Sequence, residues 1–388
     1  MFQRLWCFLI NNLWCLLYQK EYKEFLSIKD IEEVQRKKLL NIISNNKTCE
    51  YGKTHTFENI KTLEEFQSSV PLTVYEDYKE YIEKIRNGEK NILTTENILF
   101  LELYRGDTSG SMLIPYTKSQ KEDFQKGIKY WVYDLFSNYK GIKWGKSYWS
   151  VSPSNLQFEE DRYYFRGIEK KLFNRIFALP GQIAKEENID TFYYKNALAL
   201  LSCKNLTSIS VWNPTSFILL LEYMVKNTNR LVGNIYSKNK KRSLEVMEFL
   251  EEKAYNKLWK NLKVISCWSD GNAKAYLDKL KIIFPSVTIQ PKELHATDGF
   301  ISFPISEEQG ARLSVNSYFF EFEETYDSKI YLAHELEKDK EYAIIITTSG
   351  GLYRYKLKDL VMVTGFSGII PLIKFKKKQD KPFKATYI

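Results

Sequence analysis

The sequence predicts an α/β fold with sheets layered between helices. Helical and strand-like periodicities alternate along much of the chain, and from Phe300 onward the pattern turns mostly to strands. At 388 residues the chain can bury a substantial core, as one large domain or two of ordinary size.

The elements follow in order. The apolar run from Leu5 to Tyr18 reads as a helix packed on the domain. Asn11 and Asn12 interrupt it, no small-residue cleavage site precedes Lys20, and it falls short of the ~20 apolar residues of a membrane span. Ser119 and Glu122 have the spacing of a capping box, and Phe124, Ile128, Trp131, Val132, Leu135 and Phe136 then fall on one helical face. Asn213 and Pro214 supply an N-cap and a first-turn proline for a helix from Thr215 to Met224, buried on most sides because Phe217 to Leu221 is continuously apolar.

A long helix is expected from Ser243 to about Asn261, then a short buried strand from Val264 to Trp268. Ser269-Asp270-Gly271 turns the chain into a helix near Ala273 to Ile283, and Val287 to Gln290 is strand-like. Further strands are expected at Tyr318 to Phe322, Tyr342 to Thr348, Leu352 to Tyr355 and Leu360 to Thr364, with Gly350-Gly351 as a hairpin turn.

Composition narrows the function classes. The formal net charge of +9 is the only feature favouring nucleic acid, because Lys alternates with Asp and Glu, and the densest basic cluster lies at Lys374 to Lys384. No Arg-rich recognition helix, zinc pattern or ribonucleoprotein signature accompanies it. Cys7, Cys15, Cys49, Cys203 and Cys267 lack framework or metal-ligand spacing, so reduced thiols and a cytoplasmic location are expected. His295 and His334 have no partnered Ser or Cys at recognisable spacing, which leaves a hydrolase triad with little support.

Three segments can carry chemistry. The loop Gly106-Asp107-Thr108-Ser109-Gly110-Ser111 can turn amides and hydroxyls toward phosphate oxygens, although such loops commonly serve as plain turns. Asp298, after Thr297, offers an oxygen ligand for Mg²⁺, and Asp359 can accept hydrogen bonds from both hydroxyls of a ribose. Taken singly, either aspartate can equally cap a turn or helix.

A set of short matches in fixed order resembles the auxin-responsive acyl-acid amido synthetases of the Gretchen Hagen type, within the acyl-adenylate-forming superfamily. They run from Thr48 and Tyr51-Gly52-Lys53 through Val70-Pro71-Leu72, Tyr75 to Tyr78 and Ile114 to Ser119. They continue with Trp212 to Ser216, Ile265 to Trp268, Ala296 to Gly299, Phe319 to Phe322 and Gly351 to Tyr355.

The resemblance implies the large N-terminal domain of an adenylate-forming enzyme, residues 1–372, with layered sheets flanked by helices and a β-rich subdomain. Residues 373–388 would begin a hinge toward a C-terminal lid domain that is expected to be absent from this shortened chain. It implies ligase chemistry: ATP-dependent activation of a small carboxylic acid as its acyl-adenylate, then transfer to an amino acid amine. ATP and Mg²⁺ would be required. The charge pattern and the interrupted N-terminal run separately lead us to expect no nucleic-acid or membrane partner.

By the same resemblance, the nucleotide would meet Gly106, Thr108, Ser109, Gly110, Ser111, Thr297, Asp359 and Phe375. The metal would meet Asp298, and Trp212 would line or support the acid pocket. Several positions depart from the family pattern. Tyr104 and Arg105 stand where Ser or Thr is favoured, Met112 where a basic residue is usual, Asp298 in place of a glutamate, and Lys358 where a glycine precedes the ribose aspartate. These departures keep open a second reading: an inactive relative that binds an acid or nucleotide.

Overall fold

The computed structural model describes residues 2–105, 111–150, 175–180, 183, 186–269, 273–292, 294–306, 308 and 310–378. The chain divides into two compact units, one made of Met1–Lys20 with Val132–Lys292, the other of Glu21–Trp131 with Glu293–Ile388.

Strands β1 (Phe100–Arg105) and β2 (Ser111–Tyr116) form an antiparallel pair in the second unit. In the first unit, β3 (Lys146–Trp149), β4 (Leu206–Ser210), β5 (Val264–Trp268) and β6 (Thr288–Lys292) form a parallel sheet in that order. All of β4 is buried, as is β5 up to Cys267, which fits a parallel sheet covered on both faces.

Helices Ile189–Ser202, Pro214–Lys226, Thr228–Lys238, Lys240–Glu251 and Lys274–Ile283 contribute to the core around that sheet. The N-cap at Asn213 forms as expected, its side chain accepting the Thr215 N–H at 2.9 Å ahead of Pro214. The expected long helix is two. Helix Lys240–Glu251 ends where Lys253 enters the left-handed region at φ 53°, its N–H bonding the Leu250 carbonyl at 3.2 Å. The Ala254 N–H reaches back to the Phe249 carbonyl at 2.8 Å, a Schellman closure, and a short helix Tyr255–Leu258 follows.

The N-terminal run forms helix Phe2–Leu26, with Cys7, Ile10, Trp14 and Tyr18 buried. Trp14 packs among Phe136, Trp149 and Phe177 at ring distances of 5.3, 6.0 and 6.2 Å. Among the described residues no helix is long and apolar enough to cross a membrane.

In the second unit, β7 (His295–Ala296) and β8 (Gly299–Phe300) make a small hairpin. Strands β9 (Ser302–Pro304), β10 (Ala311–Leu313), β11 (Phe319–Glu324), β12 (Ile330–Leu332), β13 (Glu341–Thr347), β14 (Tyr355–Ser367) and β15 (Ile370–Lys378) build a seven-stranded antiparallel sheet. Its order is β12-β11-β13-β14-β15-β10-β9. The strand-rich region after Phe300 is therefore present.

The connection after β13 differs from a two-residue turn at Gly350-Gly351. It runs from Thr348 to Arg354, with Gly351 at φ 101° and Arg354 at φ 47°. The strand expected at Leu352 to Tyr355 does not form before Tyr355, and a single strand, β14, takes up Tyr355 together with the expected segment Leu360 to Thr364. At the start of β14, Tyr355 and Lys356 pair with β13 on one edge, while on the other Thr73 donates its N–H to the Arg354 carbonyl at 3.0 Å and accepts the Lys356 N–H at 2.9 Å.

The helix carrying the apolar face of Phe124 to Phe136 spans Lys118–Asn138, and all six of those side chains are buried. Its cap is Thr117, which accepts the Gln120 N–H at 3.1 Å. Ser119 already lies inside the first turn, where its N–H donates to Glu96 at 3.1 Å, so the expected Ser119–Glu122 box does not form.

Candidate functional site

Asp298 stands in the two-residue turn between β7 and β8, whose register sets Ala296 opposite Gly299. Side chains from the β2 region hold both turn carbonyls. Tyr116 donates its hydroxyl to the Thr297 carbonyl at 2.7 Å, and Gln120 donates its amide to the Asp298 carbonyl at 3.1 Å. Gly299 packs closely, since a Cβ there would lie 3.0 Å from the Tyr318 ring, whose hydroxyl accepts the Phe300 N–H at 3.2 Å. The turn is therefore fixed by buried contacts on both sides.

Asp359 is positioned by an irregularity in β14. Ala343 pairs with Leu360 while Ile345 pairs with Lys356, so Leu357, Lys358 and Asp359 are set against Ile344 alone. Lys358 absorbs the extra chain at φ 61°, the left-handed conformation that glycine adopts with least cost. The position where a glycine was expected thus has a glycine-favouring backbone occupied by lysine.

Asp298 and Asp359 interact electrostatically although they lie 61 residues apart in sequence, as the difference of their numbers shows. Both are buried. Burial, reinforced by the charge of Asp359 and opposed by Lys378, raises the pKa of Asp298 to about 7. Burial, opposed by Lys378, raises that of Asp359 to about 6. Lys378 stands opposite Asp359 in the β14–β15 register. In each aspartate, Oδ1 is buried with no hydrogen-bond partner among the described residues. Leaving such an acceptor unmet costs about 1–3 kcal/mol, so both atoms are ready to receive a donor or a cation.

The other candidate residues are distributed as follows. Thr297 is half-buried beside Asp298, and Phe375 is buried in β15 opposite Val361. Ser111 opens β2 opposite Arg105. Gly106, Thr108, Ser109 and Gly110 lie outside the described residues. Trp212 belongs to the first unit, immediately before the N-cap Asn213; its carbonyl accepts the Trp268 N–H at 2.9 Å and Lys292 lies 5.7 Å from its ring centroid.

Reading the residues singly missed Gln120, Tyr116 and Lys378. Tyr75 is a further neighbour: its hydroxyl accepts the Leu113 N–H at 2.7 Å, and its pKa is raised by burial and, more weakly, by Asp298. Only Tyr75 and Tyr116 had a signal in the sequence, as members of the matched segments. A cavity of about 460 Å³ lined by Leu40, Lys53 and Phe57 contains none of the candidate residues.

Comparison with known proteins places the chain as a whole. Residues 23–289 match the GH3 family N-terminal domain, and residues 312–378 match the GH3 family central domain. The chain belongs to the GH3 family. An indole-3-acetic acid-amido synthetase of Arabidopsis thaliana, GH3.4, is 23% identical over 425 residues, spanning 92% of this chain and 70% of its own.

The solved structure of AtGH3.15 acyl acid amido synthetase in complex with 2,4-DB superposes with a TM-score of 0.83 at 18% identity, covering 93% of this GH3 chain and 71% of that one. A 2-hydroxyisobutyryl-CoA ligase in complex with its acyl-AMP and CoA superposes with a TM-score of 0.55 at 10% identity, over 88% and 67% of the two chains. The fold is therefore the mixed α/β fold of the solved GH3 acyl acid amido synthetase structures.

Proposed function

We propose that this GH3 chain activates a small carboxylic acid with ATP and passes the acyl group to an amino acid amine. The observation that carries this reading is the pair of buried carboxylates, Asp298 and Asp359, each with an unmet oxygen. The residues fit the groups assigned to them. Asp359 can accept from ribose hydroxyls. Among the described residues no cluster of three or more His, Cys, Asp or Glu side chains could hold a metal, so Asp298 would supply one oxygen and phosphates or water the rest. That mode suits Mg²⁺, which when bound neutralises charge on the phosphates.

The chemistry is a double displacement. A carboxylate oxygen of the acid bonds to the α-phosphorus as the bond to pyrophosphate breaks. The amine nitrogen then bonds to the acyl carbon, AMP leaves with the C–O bonding pair, and the ammonium proton passes to solvent. The protein's part is to hold nucleotide and acid in line and to keep water from the mixed anhydride. Thr297 and Phe375 are assigned to the nucleotide, with Gly106 to Ser111 on its phosphates, and Trp212 to the acid.

A second reading, binding without turnover, draws on Lys358: a strained lysine immediately before the ribose aspartate can displace Asp359 from its productive position. Isothermal titration with ATP and Mg²⁺ against the wild type and Asp359→Ala tests the site, and pyrophosphate release across a panel of acids tests turnover. Undiminished ATP affinity in Asp359→Ala would sink the ribose assignment. Binding without pyrophosphate release favours the second reading.

A further inference from the structure

The helix Phe2–Leu26 has two apolar faces. One, carrying Cys7, Ile10, Trp14 and Tyr18, is buried. On the opposite side Phe2, Trp6, Leu9, Leu13 and Leu16 are 45–83% exposed, and Leu5 and Leu17 flank them with about half their surface open. Their spacing places all seven within one sector roughly 120° wide. Isolated exposed leucines need no explanation, but an apolar patch of this size marks a contact surface.

We infer that this face lies on an anionic lipid surface, with the helix parallel to the bilayer plane. Charge supports that occupant. The first twenty residues contain no Asp or Glu, and along the whole helix Arg4, Lys20 and Lys23 outnumber Glu21 and Glu24. Beside the sector, Trp144 stacks on Phe8 at 4.0 Å and is 38% exposed, and Lys143 donates to the Asn12 side chain at 3.2 Å, with Lys140 exposed nearby in sequence. Aromatic rings and lysines at the margin of an apolar helix face suit the headgroup boundary, where the ring is half-wetted and the ammonium meets lipid phosphate or carboxylate.

A second copy of the chain fits less well. Phe2, Trp6, Leu9, Leu13 and Leu16 do alternate at four- and three-residue steps, as in a coiled-coil seam. The pattern ends at Lys20 after about two heptads, and the flanking positions hold Leu5 and Leu17 rather than opposite charges that would set pairing. This replaces the expectation of no membrane partner, and the lack of a membrane-crossing helix among the described residues does not bear on it, because a helix lying in the interface needs only one apolar face.

The test is co-sedimentation of the full chain with vesicles of about three parts phosphatidylcholine to one part phosphatidylserine, and with phosphatidylcholine alone. The wild type is expected to pellet with the anionic vesicles, less so in high salt. The double variant Leu9→Glu, Leu13→Glu should lower its partitioning about tenfold or more, with an unchanged thermal transition because both side chains are exposed. A wild type that stays in solution with both vesicle types, or a variant that pellets as well as the wild type, overturns the inference. A dimer in lipid-free solution that the same variant abolishes reassigns the face to a second copy.

Discussion

Arg354 grips Glu321 through two hydrogen bonds, Nε to Oε2 at 3.0 Å and Nη2 to Oε1 at 2.9 Å, with both side chains buried. The remaining guanidinium nitrogen donates to the Gln67 and Val70 carbonyls, each at 2.9 Å. The arginine thus ties β11 to the loop that leads into the bulged strand of Asp359. Its planar fork is what makes four contacts from one side chain possible. Arg354→Ala leaves Glu321 charged and buried, and is expected to cost about 3–5 kcal/mol, measured as a lowered urea midpoint. A midpoint within experimental error of the wild type would show that water takes over the pairing.

The two buried aspartates make stability depend on pH in an unusual direction. Unfolded, each has a pKa near ~4; folded, Asp359 rises to about 6 and Asp298 to about 7. Between those values the folded chain holds more protons than the unfolded one, so stability falls as pH rises from about 4 to about 7. Urea unfolding across that window should show this slope, and Asp298→Asn should flatten its upper part. An Asp298→Asn profile that parallels the wild type contradicts the assignment.

Metal binding should release protons. At pH near ~7 Asp298 is about half protonated on the pKa of about 7, and a cation binds the ionised oxygen. Titration of Mg²⁺ with ATP in buffers of different ionisation enthalpy is expected to report fractional proton release that Asp298→Asn diminishes. Equal release in both proteins would move the metal elsewhere.

Lys358→Gly should stabilise the chain. A non-glycine residue in the left-handed region costs about 1–2 kcal/mol, part of which is offset by glycine's greater freedom when unfolded. A net gain of about 0.5–1 kcal/mol in thermal or urea unfolding is expected, with ATP affinity unchanged or increased. Lost affinity would instead show the lysine ammonium contacting the nucleotide.

Gly351→Ala should do the reverse. Its φ of 101° disfavours any side chain, and a Cβ would lie 2.6 Å from the Leu93 Cβ. A loss of about 2 kcal/mol or more is expected from backbone strain and overpacking together, read from the unfolding midpoint.

Local chemistry determined much of this protein in advance. Asn213-Pro214 started a helix because an Asx cap and a first-turn proline act within one turn of chain. Val264 to Trp268 became a strand because a short apolar run between polar turns has little alternative in an α/β protein. The matched motifs likewise announced the family.

Tertiary structure alone decided the rest. Lys253 ended a helix through a left-handed closure that no glycine signalled, and Thr117 rather than Ser119 is the cap, with Ser119 bonded to Glu96, distant in sequence. The bulge at Lys358 depends on how β14 registers against β13, and the proximity of Lys378 to two carboxylates depends on the register of β15. Periodicity encodes which face of an element is apolar. Register and long-range charge are fixed only when separate elements pack, so the environment that raises both aspartate pKa values had no counterpart in the linear order of residues.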